Sequence, residues 1–199
     1  MPLRPPAVLE RLQAALQGLP GIGKRSAERV ANYLLQAPVE EAQALADAIT
    51  QARAALHPCS LCGRLYDADP CDLCSDPERD ATQLCVVATD RELYALAAAG
   101  VFPGRFHLLG GLISPLKGVG PGTLRLDALK ARIISEGVRE VVLALPPTTE
   151  GETTAYYVKE LLPPDLPLTR LGIGVPLGAD LDYLDAGTLE RALNGRQKF

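Results

Sequence analysis

Apolar residues recur at helical intervals in the first quarter of the chain and then in compact runs further on, and this change of period is the first guide to its organisation. Val8, Leu9, Leu12, Ala15, Leu16 and Leu19 have the spacing of one helix face, interrupted at Gly18 and the turn Leu19-Pro20-Gly21-Ile22-Gly23. A second amphipathic face follows at Ala27, Val30, Ala31, Leu34 and Leu35. Beyond the break at Pro38 comes a third, at Ala42, Leu45, Ala46, Ile49, Ala52 and Leu56. Residues 1–56 therefore read as three helices.

From His57 to Asp80 the periodicity disappears and Cys, Pro, Asp and Gly dominate, as in a small loop organised by something other than apolar burial. The rest alternates. Strands are expected at Leu84–Ala88, Phe106–Leu109, Val141–Leu145 and Leu168–Leu171. Helices are expected at Arg91–Ala99, Leu126–Ser135, Thr153–Leu162 and Ala186–Leu193, the last stopping near Gly195. Alternating strands and helices imply a parallel sheet. The expected fold class is thus multi-domain, α followed by α/β: 1–56 helical, 57–80 a cysteine module, 81–172 a β/α domain and 173–199 a carboxy-terminal segment.

Composition fits a globular protein, with 47% hydrophobic and 22% charged residues in 199. No run approaches the roughly 18 apolar residues of a membrane span, and the start MPLRPPAVLE lacks a secretory layout, so a cytoplasmic protein without membrane contact is expected. The net charge of −4 is unevenly spread. Residues 1–36 hold Arg4, Arg11, Lys24, Arg25 and Arg29 against Glu10 and Glu28, a sum of +3, which leaves −7 for the rest. Positive charge gathers at the amino end, where a local field differs from the chain-wide sum.

Cys59-x2-Cys62 and Cys71-x2-Cys74 are separated by eight residues, while Cys85 stands apart. Each pair can turn two thiolates to one point, and two pairs supply the four tetrahedral ligands of a zinc ion, leaving no open position for catalysis. Redox-active or simply buried cysteines are the alternative, and His57 is a competing ligand. Between the first two helices, Gly21 and Gly23 let the backbone approach a ligand closely. The start of the next helix offers free N–H groups, and Lys24, Arg25 and Arg29 add charge. This arrangement resembles the helix-hairpin-helix motif that grips the DNA backbone; a tight helix connection with solvated charges is the alternative. Gly18-x4-Gly23-Lys24 fails as a nucleotide-binding loop, because Arg25 replaces the required hydroxyl and the preceding element is helical.

In the β/α region Asp90, Glu150 and Glu152 could gather at the carboxyl ends of neighbouring strands to hold a divalent metal or meet a partner. Alternatively, Glu150 and Glu152 complement a helix amino terminus. His57 and His107 have no nucleophile placed beside them, and His107, within a strand, reads as a packed residue.

Taken in order, Leu19 to Arg29, the cysteines at 59–74, Ser114-Pro115-Leu116-x-Gly118-Val119-Gly120-Pro121, Thr149-Glu150-Gly151-Glu152-x-Thr154-Ala155, Gly174-Val175-Pro176-x-Gly178 and the ending Thr188-Leu189-x-x-Ala192-Leu193-x-Gly195-Arg196 resemble the RecR family of recombination mediators. The resemblance implies a helix-hairpin-helix, a four-cysteine zinc finger, a Toprim-like domain and a Walker-B-like carboxy-terminal segment. It also implies a homo-oligomeric clamp, dimer or tetramer, on duplex or gapped DNA that works with RecO and RecF to load RecA. On this basis Gly21, Gly23, Lys24, Arg25 and Arg29 face DNA, Glu150 and Glu152 belong to the surface meeting RecO, and no catalytic residue is expected. The chain departs from the family pattern at Ala88, where a Glu is usual, and at Gly110, where a His is common. Two other functions stay open: a metal-dependent Toprim-like nuclease or primase-like enzyme using Asp90, Glu150 and Glu152, and a zinc protein that bridges other proteins without touching DNA.

Overall fold

The computed structural model describes residues 5–196, and these divide into two compact units at Leu56/His57. In the first unit α1 (Ala7–Gln17), α2 (Lys24–Gln36) and α3 (Val39–Ala55) match the three apolar periodicities. Gly18 ends α1, Gly23 caps α2 and Pro38 opens α3. Gly21 has φ +80°, a left-handed conformation that lets the chain reverse between α1 and α2. Among the described residues of this unit only Ala27 and Ala31 are buried; Val8, Leu35, Val39 and Ile49 are more than half exposed.

The second unit opens with a short antiparallel pair, β1 (His57–Pro58) and β2 (Leu65–Tyr66), followed by a single helical turn, α4 (Asp72–Ser75). Then come β3 (Asp80–Val87), α5 (Asp90–Ala99), β4 (Gly104–Leu108), α6 (Leu126–Glu136), β5 (Glu140–Ala144), α7 (Thr149–Leu161), β6 (Leu168–Arg170) and α8 (Ala186–Asn194). The four long-range strands form one parallel sheet in the order β4-β3-β5-β6, with Val86 opposite both His107 and Leu143. Alternation along β3 explains its continuous apolar run. Leu84 and Val86 face a cluster with Leu129 and Ile133 of α6 and Val158 of α7, whereas Cys85 and Val87 face Leu93 and Leu96 of α5. Helices cover both faces. Each fully buried Leu, Val or Phe in these clusters contributes roughly 1.5–3 kcal/mol.

Two boundaries differ by four residues from the sequence expectation, the others by two at most. Strand β3 begins four residues earlier, at Asp80, because an irregularity in the β3–β4 register lets Asp80 pair with Gly104. Helix α7 begins at Thr149 rather than Thr153, since the Thr148 hydroxyl accepts the Gly151 N–H at 3.2 Å and nucleates an earlier turn. That turn lies so close to the preceding loop that a Cβ on Gly151 would stand 1.9 Å from the Pro146 carbonyl oxygen. Only glycine fits there. His107 is fully buried, as its strand position suggested, and burial pushes its pKa down to about 4.

Candidate metal centre and nucleic-acid interface

Cys59, Cys62, Cys71 and Cys74 are buried, and their four sulfurs all lie within 4.8 Å of one another. Four thiolates around an ion at about 2.3 Å stand about 3.8 Å apart, so the cluster can hold a tetrahedral metal ion. The β1–β2 hairpin presents the first pair and the turn into α4 presents the second, with the Cys71 N–H donating to Cys59 Sγ at 3.4 Å. Burial opposes ionisation of Cys59, but the Cys62, Cys71 and Leu61 N–H groups aimed at its sulfur hold its thiol down at about 7. Cys62 is pushed up, first by its hydrogen bond with Cys74 and then by burial, and burial with the Cys62 charge lifts Cys71 to about 11. Thiolates this close repel one another; a cation between them lets all four ionise. His57 is exposed and lies outside the cluster.

The cysteine module is fastened to the outer edge of β4. The Leu108 N–H donates to the Cys62 carbonyl at 2.8 Å, and the Arg132 guanidinium reaches the Phe106 carbonyl at 2.6 Å. Arg79 donates to the Gly104 carbonyl at 2.9 Å. From α6's approach, Arg125 donates to the Ser60 carbonyl at 3.3 Å while its own carbonyl lies 3.0 Å from His107 Nε2. Arg64, 4% exposed, pairs with Asp72 at 2.9 Å and lies over the Tyr66 ring at 4.3 Å. Sequence reading missed these arginines, because an isolated Arg reads as surface; only the fold brings them to the module.

In the first unit the hairpin Leu19–Gly23 ends at Gly23, the N-cap of α2, and no side chain caps that helix. Nothing stands within 4 Å of where a Cβ would sit on Gly21 or Gly23, so the backbone there is open. Lys24 and Arg25 occupy the first turn and Arg29 the next; all three are exposed. Free helix N–H groups and three cations on one end have the chemistry to accept an anion.

Of the two readings of the acidic residues, the structure places them at helix amino termini and gathers no metal-holding group from them. Among the described residues, the four cysteines are the only group of three or more His, Cys, Asp or Glu side chains close enough to share a metal ion. Asp90 heads α5, and Glu150 and Glu152 sit in the first turn of α7, where the helix dipole favours them. Glu152 is engaged by Arg170 at 2.9 Å. Ala88 is buried at the end of β3, and the nearby carboxylate, Glu92, is spent on local structure: its Oε2 accepts the Ala88 and Thr89 N–H groups at 2.9 and 2.8 Å in a capping box. A cleft of about 510 Å³ opens between Glu92, Glu152 and Arg170 over an apolar floor from β5.

The amino-terminal helices with an open glycine hairpin, the four-cysteine module and the doubly covered parallel sheet together define a helix-hairpin-helix protein with a metal-binding module and a Toprim-type domain. Family models agree segment by segment: "RecR, helix-hairpin-helix" matches residues 9–53, "Toprim domain" 82–172 and "RecR, C-terminal" 174–197. The chain is 44% identical over 195 residues to the recombination protein RecR of Syntrophobacter fumaroxidans, covering 98% of this chain and 97% of that one. It is 49% identical over 190 residues to the protein of that name from Pelotomaculum thermopropionicum, covering 95% of both. With that of Acaryochloris marina it shares 48% over 190 residues, 95% of this chain and 94% of the other. The chain belongs to the RecR family.

Proposed function

We propose that this chain is a DNA-binding mediator of recombinational repair that acts by binding and recruitment, without catalysing a reaction. The observation that carries the proposal is the open Gly21–Gly23 hairpin leading into an uncapped α2 whose exposed Lys24, Arg25 and Arg29 share one end. Such a surface takes phosphates rather than base edges, giving little sequence preference. Cys59, Cys62, Cys71 and Cys74 hold a structural zinc ion: four thiolates complete its shell and leave no position for water. Glu150 and Glu152 contribute to the surface that meets RecO, and with RecF the protein works in the cytoplasm as a homo-oligomeric clamp that helps load RecA on gapped DNA. The exposed apolar residues of α1 and α3 favour the oligomer. Against the enzymatic alternative stand Ala88, the capping role of Glu92 and the pairing of Glu152 with Arg170.

The test is binding of labelled duplex and gapped DNA across a salt series. Three phosphate contacts imply roughly 40-fold weaker binding as salt rises from about 50 to about 200 mM. The Lys24→Glu, Arg25→Glu, Arg29→Glu variant should retain its fold and lose DNA. Normal binding by that variant overturns the assignment of the hairpin; no binding by either protein at low salt favours the protein-bridging reading.

A further inference from the structure

Arg132 is 4% exposed, and its guanidinium touches three separate parts of the second unit. Nε donates to Glu136 Oε1 at 2.9 Å within α6, and Nη1 donates to the Phe106 carbonyl of β4 at 2.6 Å and to the Leu61 carbonyl at 3.4 Å. Nη2 donates to Cys74 Sγ at 3.7 Å. Leu61 lies inside the first cysteine pair and Cys74 ends the second, so one side chain spans both pairs and the sheet edge.

The charges around this contact are unbalanced in a useful way. Glu136 is shared by Arg132 and by Arg105 at 3.4 Å, so two guanidinium groups face one carboxylate and a single positive charge remains beside the sulfurs. Arg64, the other buried arginine near the cluster, is already paired with Asp72. Four thiolates around a divalent ion carry a net charge of −2, and burying that excess is unfavourable unless a cation or hydrogen-bond donors face it. Arg132 supplies both. A lysine could supply the charge but not the planar fork that reaches a carbonyl and a sulfur together.

We infer that Arg132 is a positioning residue for the metal: by donating to Cys74 Sγ while anchored on Phe106, it offsets the negative four-thiolate site and slows the loss of its ion. The inference rests on the proposed zinc site, and the experiment separates the two. Zinc per chain is measured in the purified full-length protein, and its release to a chromophoric chelator is then timed at fixed pH for wild type, Arg132→Met, Arg132→Lys and Arg105→Met. Wild-type protein without zinc overturns the zinc site itself. With zinc present, Arg132→Met should release it roughly 10- to 100-fold faster, Arg132→Lys should be intermediate, and Arg105→Met, which removes the excess charge but keeps the contact with Cys74 Sγ, should accelerate release less than Arg132→Met. Should Arg132→Met not fold, Arg132→Lys carries the test. Release at the wild-type rate from a folded Arg132 variant, or equal acceleration by Arg105→Met, overturns the inference, because a residue that only packs α6 against β4 would not distinguish the metal.

Discussion

In the amino-terminal unit two alanines are the only buried side chains among the described residues, whereas the carboxy-terminal unit encloses apolar clusters on both faces of a sheet and a buried cysteine group. Both units carry the periodicities of stable elements. The difference is what each periodic face meets. In the second unit Leu129, Ile133 and Val158 meet β3 and β5, while in the first Val39, Leu45 and Ile49 remain exposed. A unit with so little of its own core draws stability from what covers it, and it is also the unit with the cationic hairpin. The second unit encloses its own core except at its cysteine module, which has too few apolar residues to fold by burial and whose four thiols can hold a metal ion.

The largest expected effect follows from that exception. Stripping any bound metal with a strong chelator, or replacing Cys62 by Ala, should lower the melting temperature of the second unit while the helical signal of the first changes little; an unchanged melt would show that the cysteine module adds nothing to that unit's stability. Next, Leu129→Ala, fully buried, should cost about 2–5 kcal/mol in denaturant unfolding. Ile49→Ala should stay within about 0.5 kcal/mol in the monomer yet weaken self-association in sedimentation.

A third difference appears on acidification. His107 has a folded pKa of about 4 against 6.5 for a free histidine. Its contribution is therefore fully present above pH 6.5 and lost as pH falls towards 4, because the unfolded chain takes up the proton first. The effect is on the order of 3 kcal/mol. Thermal melts from neutral pH down to about 4.5 should show a steeper loss for wild type than for His107→Gln, with metal loss common to both. A smaller effect than that of the buried histidine is expected from Thr148→Ala, about 1 kcal/mol from the lost cap of α7, measured by the same unfolding experiment.

The order of helices and strands was legible because β3, β4 and β5 are covered on both faces and so read as continuous apolar runs, while the helices keep apolar residues at helical intervals. The cysteine group was legible from spacing alone, since the ligands of each pair are neighbours. What surrounds it was not: Arg132 is 58 residues from Cys74, and nothing local distinguishes a buried arginine from a solvated one. The acids could be read two ways from sequence for a related reason. Asp90, Glu150 and Glu152 follow strands as metal-holding carboxylates do, but the same positions begin helices, and local capping and the Arg170 pair account for them without an ion.

The fastening of β4 bears on more than metal affinity. As an outer strand of the sheet, β4 turns the backbone groups of Gly104, Phe106 and Leu108 away from β3, and Arg79, Arg132 and the Cys62 carbonyl occupy them. An uncovered parallel edge is a template on which another chain can add a strand. The cysteine module therefore also guards against aggregation, because it keeps that edge from pairing with another copy of the chain.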